Sequence, residues 1–147
     1  MLLQPKNRKY RKDQKGVRKA FGILPAFGVQ NPLVFGNHGL KSLERHHLKA
    51  SQIEAVRRVI IRKIRKIGKS WIRVFPYKPV TNKPTKTRMG KGKGSIQFWV
   101  CPVEKGQILF ELSANLPPKT VKEIFDLVGR KLPFATKFIS SNKLDCV

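Results

Sequence analysis

The stretch from Ser51 to Gly68 restricts this chain more than any other part of it. Ile53, Val56, Ile60, Ile64 and Ile67 recur at steps of three and four, so in a helix they form a single apolar stripe. Ser51-Gln52-Ile53-Glu54 has the capping-box form, in which Ser and Glu reciprocally satisfy free amides of the first turn, and Gly68 is placed to end the helix. The other side presents Arg57, Arg58, Arg62, Lys63, Arg65 and Lys66. Like charges three and four residues apart destabilise an isolated helix. The stripe therefore needs a packing layer, and the cationic row needs phosphates beside it.

Short apolar runs supply that layer. Trp71 to Phe75 alternates and meets Pro76, as a strand placed against the helix would. Ile96 to Val103 and Gln107 to Leu112 read as two strands of an antiparallel hairpin joined by Glu104-Lys105-Gly106. Pro117 and Pro118 can open a second helix, on which Val121, Ile124, Phe125 and Val128 make a stripe before Lys131 and Pro133. A last short strand runs from Thr136 to Ile139. The expected fold is α+β: two amphipathic helices packed on a mostly antiparallel sheet, with a basic N-terminal arm and one long basic Gly-rich loop. The element order is not that of a doubly wound nucleotide fold. Four segments result: a basic arm at 1–19, an irregular Gly/Pro connection at 20–50, a binding domain at 51–140 with the loop 76–94 projecting, and a tail at 141–147.

Charge then decides the ligand class. The chain has 32 Lys and Arg against 8 Asp and Glu, a formal net charge of +24. Solubility asks for a net charge of only about 2–8 on a small domain. A body this basic repels itself, and a polyanion relieves the repulsion while releasing counterions. The arm alone holds Lys6, Arg8, Lys9, Arg11, Lys12, Lys15, Arg18 and Lys19 against the single acid Asp13, with too few apolar residues to fold by itself. An anionic membrane is the other polyanion, but the longest weakly charged stretch, Ala20 to Gly36, carries Pro25 and Pro32 and makes no span. Two cysteines, Cys101 and Cys146, build neither a disulfide framework nor a four-cysteine zinc site. The start has no secretory core, whereas an Arg-rich transit peptide stays open on composition.

The segment from Pro76 to Gly94 exceeds the roughly 12–15 residues at which a plain loop becomes unusual. It contains Lys78, Lys83, Lys86, Arg88, Lys91 and Lys93 and no acid. Its tip, Arg88-Met89-Gly90-Lys91-Gly92-Lys93-Gly94, alternates glycine with cation, so its backbone can lie close to a phosphate chain. The GxxxxGK[ST] spacing of a nucleotide loop is absent, and Ser95 and Gln97 stand where stacking rings of an RNA-recognition strand would be required. An enzyme needs more than charge. The eight acids are scattered, with Glu54 and Glu123 assigned to helix first turns, and His38, His46 and His47 read as loop contacts to phosphate or solvent rather than a general base. No cofactor or metal is expected.

Several segments together resemble the bacterial and organellar large-subunit ribosomal protein sixteen family. They are Leu3-Gln4-Pro5-Lys6 with Lys9-Tyr10-Arg11-Lys12, then Gln52 to Arg58, then Trp71-Ile72-Arg73-Val74-Phe75-Pro76, then Arg88 to Gly94, and finally Lys131-Leu132-Pro133. The resemblance covers nearly the whole chain. It implies a structural protein bound to large-subunit rRNA below the central protuberance, beside the aminoacyl-tRNA site, with neighbouring large-subunit proteins and no homo-oligomer. On that reading the rRNA-binding residues are the eight arm cations with Arg57, Arg58, Arg62, Arg65, Arg73 and Lys78. The loop residues Lys86, Arg88, Met89, Gly90, Lys91, Gly92, Lys93 and Gly94 face the tRNA and the peptidyl-transferase region. The alternative class is a free-standing basic RNA or DNA chaperone.

Two departures from the family pattern limit the carry-over. The chain has several extra residues between Gly22 and Phe35, and Glu44-Arg45-His46-His47 replaces a stretch usually rich in glycine and arginine. The family-like start implies an uncleaved N-terminus. With the frequent Ile, Phe and Lys of an AT-rich genome, it points to the mitochondrial matrix first, with a plastid or the bacterial cytoplasm as alternatives.

Overall fold

The computed structural model describes residues 3–14, 33–65, 67–90 and 92–141. In chain order the elements are β1 (His38–Ser42), β2 (His46–Lys49), α1 (Ala50–Lys63), β3 (Gly68–Ile72), β4 (Lys78–Asn82), β5 (Ser95–Val103), β6 (Ile108–Ala114), α2 (Pro118–Gly129) and β7 (Thr136–Ser140). The strands form a four-stranded sheet, β3-β6-β1-β7, and a three-stranded sheet, β2-β5-β4. Every pairing is antiparallel. The helices pack on each other and on the strands, so the α+β class expected from the two stripes is what forms.

The stripes do most of this. Ile53, Val56, Ile60 and Ile64 are buried from α1, and Val121, Ile124, Phe125 and Val128 from α2. Pro118 opens α2 at a first-turn position where a missing amide loses no helical bond. Between β3 and β1 runs β6, whose residues Ile108 to Leu112 are all buried. Such a strand shows no alternation, because neither of its faces meets water.

Several expectations change on contact with the structure. Helix α1 begins at Ala50, and its reciprocal cap is half made: the Lys49 amide donates to Gln52 Oε1 at 2.9 Å, while Ser51 and Glu54 take no part. Neither Glu54 nor Glu123 lies in a first turn. The helix ends at Lys63, Ile67 is half exposed, and Gly68 opens β3 instead of closing α1. Packing explains this, since a Cβ on Gly68 would sit 2.5 Å from the Ala114 Cβ and the Ser113 carbonyl of β6. The strand read at Trp71 to Phe75 stops at Ile72.

Strands β5 and β6 are not a hairpin. Gly106, at φ 89°, turns the chain out of one sheet and into the other, and its amide donates to the Ser42 carbonyl at 2.8 Å. Residues 20–50 are not wholly irregular either, because β1 and β2 lie within them, and 76–94 contains β4, which leaves a loop of 83–94. In both places the strands are short and partly polar, and the partners of β1 and β2 lie far away in sequence.

Glu111, in the middle of β6, is fully buried as a charge. It accepts from the amides of Val34, Phe35 and Gly36 at 3.1, 2.6 and 2.9 Å, and from the Arg73 guanidinium. Burial alone would raise its pKa, but the Phe35 and Gly36 amides, Arg73 and the Val34 amide together outweigh that and hold it below the usual carboxylate range. The carboxylate thereby pins the segment entering β1 to the central strand.

Candidate nucleic-acid interface

Three cationic segments were expected to meet RNA, and each is built differently. On α1 the cations are sorted by one acid. Glu54 accepts from Arg57 Nε and Nη2, both at 2.7 Å, and from Arg58 Nε at 3.0 Å. Arg57 is the larger influence and Arg58 the next, and together they lower the Glu54 carboxyl to about 2. The same pair raises the Arg57 guanidinium. Arg57 is thus partly committed within the protein, whereas Arg58 keeps 72% of its side chain exposed. Arg62, Lys63 and Arg65 follow on the exposed side.

The loop 83–94 joins β4 to β5, and the register of this pair shifts between Val80 and Thr81 just below it. Such a shift re-aims a hairpin end. Lys86, Arg88 and Met89 are exposed, Met89 by 92%. Gly90 and Gly92 adopt φ of 107° and 79° with open space around them, so their backbone conformation is what calls for glycine. Gly94 differs. A Cβ there would stand 2.2 Å from the Asn82 carbonyl oxygen, so its glycine serves the close approach of β4 and β5 rather than a ligand. Lys91 lies outside the described residues.

The arm, described from 3 to 14, forms neither helix nor strand but lies against the β4–β5 sheet. Leu3 belongs to the core. Lys6, Lys9 and Arg11 are exposed, while Arg8 and Lys12 make bonds back to the domain. Lys15, Arg18 and Lys19 fall outside the described residues. Of the other sequence candidates, Arg73 is tied to Glu111 and lies 5.4 Å over the Phe35 ring, and Lys78 is half-buried on β4.

The structure thus brings the arm and the loop stem together, around a cleft of about 430 Å³ lined by Gln14, Thr81, Asn82, Lys83, Lys93 and Gly94. Lys83 was not among the sequence candidates, and only its neighbourhood to Lys93 marks it. His46 packs at 5.4 Å against Phe134, which gives it a place in the fold. Among the described residues no His, Cys, Asp and Glu cluster could hold a metal, and no helix is long and apolar enough to cross a membrane.

Residues 5–139 match the family model described as Ribosomal protein L16p/L10e. The chain belongs to this family. Among curated relatives it is 42% identical over 139 residues to a large ribosomal subunit protein uL16 of Pseudoalteromonas atlantica, covering 95% of this chain and 97% of that protein. It is 44% identical over 138 residues to the protein of the same name from Aeromonas salmonicida, covering 94% and 96%. The L16p/L10e family is structural, so the chain is not an enzyme. Both relatives are bacterial, and they give no support to the mitochondrial placement put first from composition.

Proposed function

We propose that this protein is a structural constituent of the large ribosomal subunit, held by rRNA and presenting its loop to aminoacyl-site tRNA. Family membership over residues 5–139 carries the first part. The second rests on the loop 83–94, where exposed Lys86 and Arg88 stand beyond the last paired strand residues, Asn82 and Ser95. Arg58, Arg62 and Arg65 of α1 and Lys6, Lys9 and Arg11 of the arm supply the anchoring charge, since several phosphate contacts already give strong binding. The anchored body is the folded region from 38 to 140, flanked by the basic arm. Bacterial relatives favour a bacterial ribosome, and the Ile-, Phe- and Lys-rich composition favours an organellar one.

Sedimentation of native extract tests the first part: the protein is expected in the large-subunit fractions, and a spread through light fractions would establish the free RNA chaperone instead. For the loop, Lys86→Ala with Arg88→Ala is expected to leave occupancy of purified subunits normal while slowing single-turnover peptide formation. Reduced occupancy with normal activity per occupied subunit would make the loop an anchor.

A further inference from the structure

The arm carries two cations that turn inward onto the β4–β5 hairpin, Arg8 at the end away from the loop and Lys12 at the base of the loop. Arg8 Nη2 reaches Asp13 Oδ1 and Oδ2 at 2.8 and 3.0 Å, and Arg8 Nη1 donates to the Tyr77 carbonyl at 3.1 Å. The same guanidinium lies 5.5 Å over the Trp99 ring of β5. Four residues on, Lys12 Nζ donates to the Lys93 carbonyl at 2.9 Å, and Lys93 Nζ donates back to the Asp13 carbonyl. Lys93 is gripped at both its backbone and its side chain.

Each contact is partly solvated and weak alone. Made together along one short segment whose Leu3 is fixed in the core, they act at high effective concentration. Among the described residues, what holds the loop otherwise is its own short turns. Past the Asn82 and Ser95 pair its backbone bonds are local, Thr87 to Pro84 and Gly92 to Gly90. We infer that residues 8–13 form a clasp that sets the direction of the loop 83–94, so that Arg8, Lys12 and Asp13 are positioning residues for the loop rather than RNA contacts. The inference deepens the loop role proposed above, but its test uses the free protein and does not depend on the ribosome.

Asp13 separates the two readings, because it is an acid. If Arg8 served only to bind phosphate, removing Asp13 would free it and strengthen RNA binding, with the loop unaffected. A clasp predicts that losing either partner loosens the loop. Amide hydrogen exchange is measured on the full free chain for Arg8→Ala, Asp13→Ala and the exposed control Lys6→Ala. Arg8→Ala and Asp13→Ala are each expected to speed exchange around residues 80–95 by about three- to tenfold, the range set by an exposed ion pair and a cation–ring contact. Exchange in α1 and β6 should stay at wild-type rates, and Lys6→Ala should change nothing. Unaltered loop exchange in both variants, or equal acceleration of α1 and β6, would overturn the clasp.

Discussion

The two sheets use the same residue types for opposite ends. In the four-stranded sheet, Arg73 and Glu111 are drawn inward: the carboxylate is fully buried on β6 and holds both the guanidinium and three amides of the segment before β1. In the three-stranded sheet, cations stand at the surface of a hairpin whose strands continue into the loop, and Arg8 and Lys49 lie over its half-buried rings Trp99 and Phe98. Arg73 is therefore part of the scaffold, while the cations of the arm and the loop are available to a ligand or to its positioning. Composition alone merges the two groups.

The largest effect should come from the layer shared by both sheets. Ile60 is 1% exposed and its neighbour Ile61 is 41% exposed. Ile60→Asp is expected to abolish cooperative thermal unfolding, because an unpaired charge in the core costs more than a small domain's whole stability. Ile61→Asp should shift stability by only about 0.5 kcal/mol. A comparable loss at both positions would mean that the α1 stripe does not face the core.

Next comes the buried carboxylate. Glu111→Ala is expected to cost about 3–5 kcal/mol in chemical denaturation, since it strands the Arg73 side chain and three amides together. Arg73→Ala should cost less, about 1–3 kcal/mol, because the amides still hold Glu111. Equal losses would erase the distinction between the inward and outward cations.

Acid should act through the same acids. Glu54 and Glu111 both have lowered pKa values in the fold, so each contributes stability above the ordinary carboxylate value of 4.5 that is lost as pH falls. The Glu54 share fades between 4.5 and about 2. Glu54→Gln should flatten that part of a melting-temperature profile against pH, and an unchanged profile would show that its arginine pair adds nothing to folding.

The smallest effect on the fold should be the largest on RNA. Arg58→Ala with Arg62→Ala is expected to cost no more than about 0.5 kcal/mol, the worth of the exposed Arg58–Glu54 pair, and to reduce the slope of log affinity against log salt by about 1.8 on duplex rRNA, near 0.9 per phosphate contact. A slope equal to wild type would make this face merely solvated.

Much of α1 and α2 was legible because their stripes report burial directly through spacing. Ile67 misled, since it continues the period one turn beyond the end of α1 at Lys63, just before Gly68 must enter β3 beside Ala114. The site was legible as a set of cations and not as an arrangement. Arg8 and Lys6 look alike along the chain, and only the distant partners Tyr77 and Trp99 tell them apart. The acids held the signal that the sequence reading passed over as scattered, because Asp13, Glu54 and Glu111 each pair with an arginine that is kept for the protein itself.

By itself, then, the sequence determined that this chain carries charge that calls for a polyanion, that two helices would bury their stripes on antiparallel strands, and that its tip of alternating glycine and cation would be exposed. Those properties are local: charge is counted, periodicity is read within one element, and the left-handed backbone at Gly90 and Gly92 needs only glycine. Only the tertiary structure decided that β5 and β6 part into different sheets, that Gly94 is a packing glycine, and that Glu111 and Arg73 lie inside. Strand pairing and ion pairing join residues tens of positions apart, and which of many similar partners meet is settled by the packing of the whole domain rather than by any segment of it.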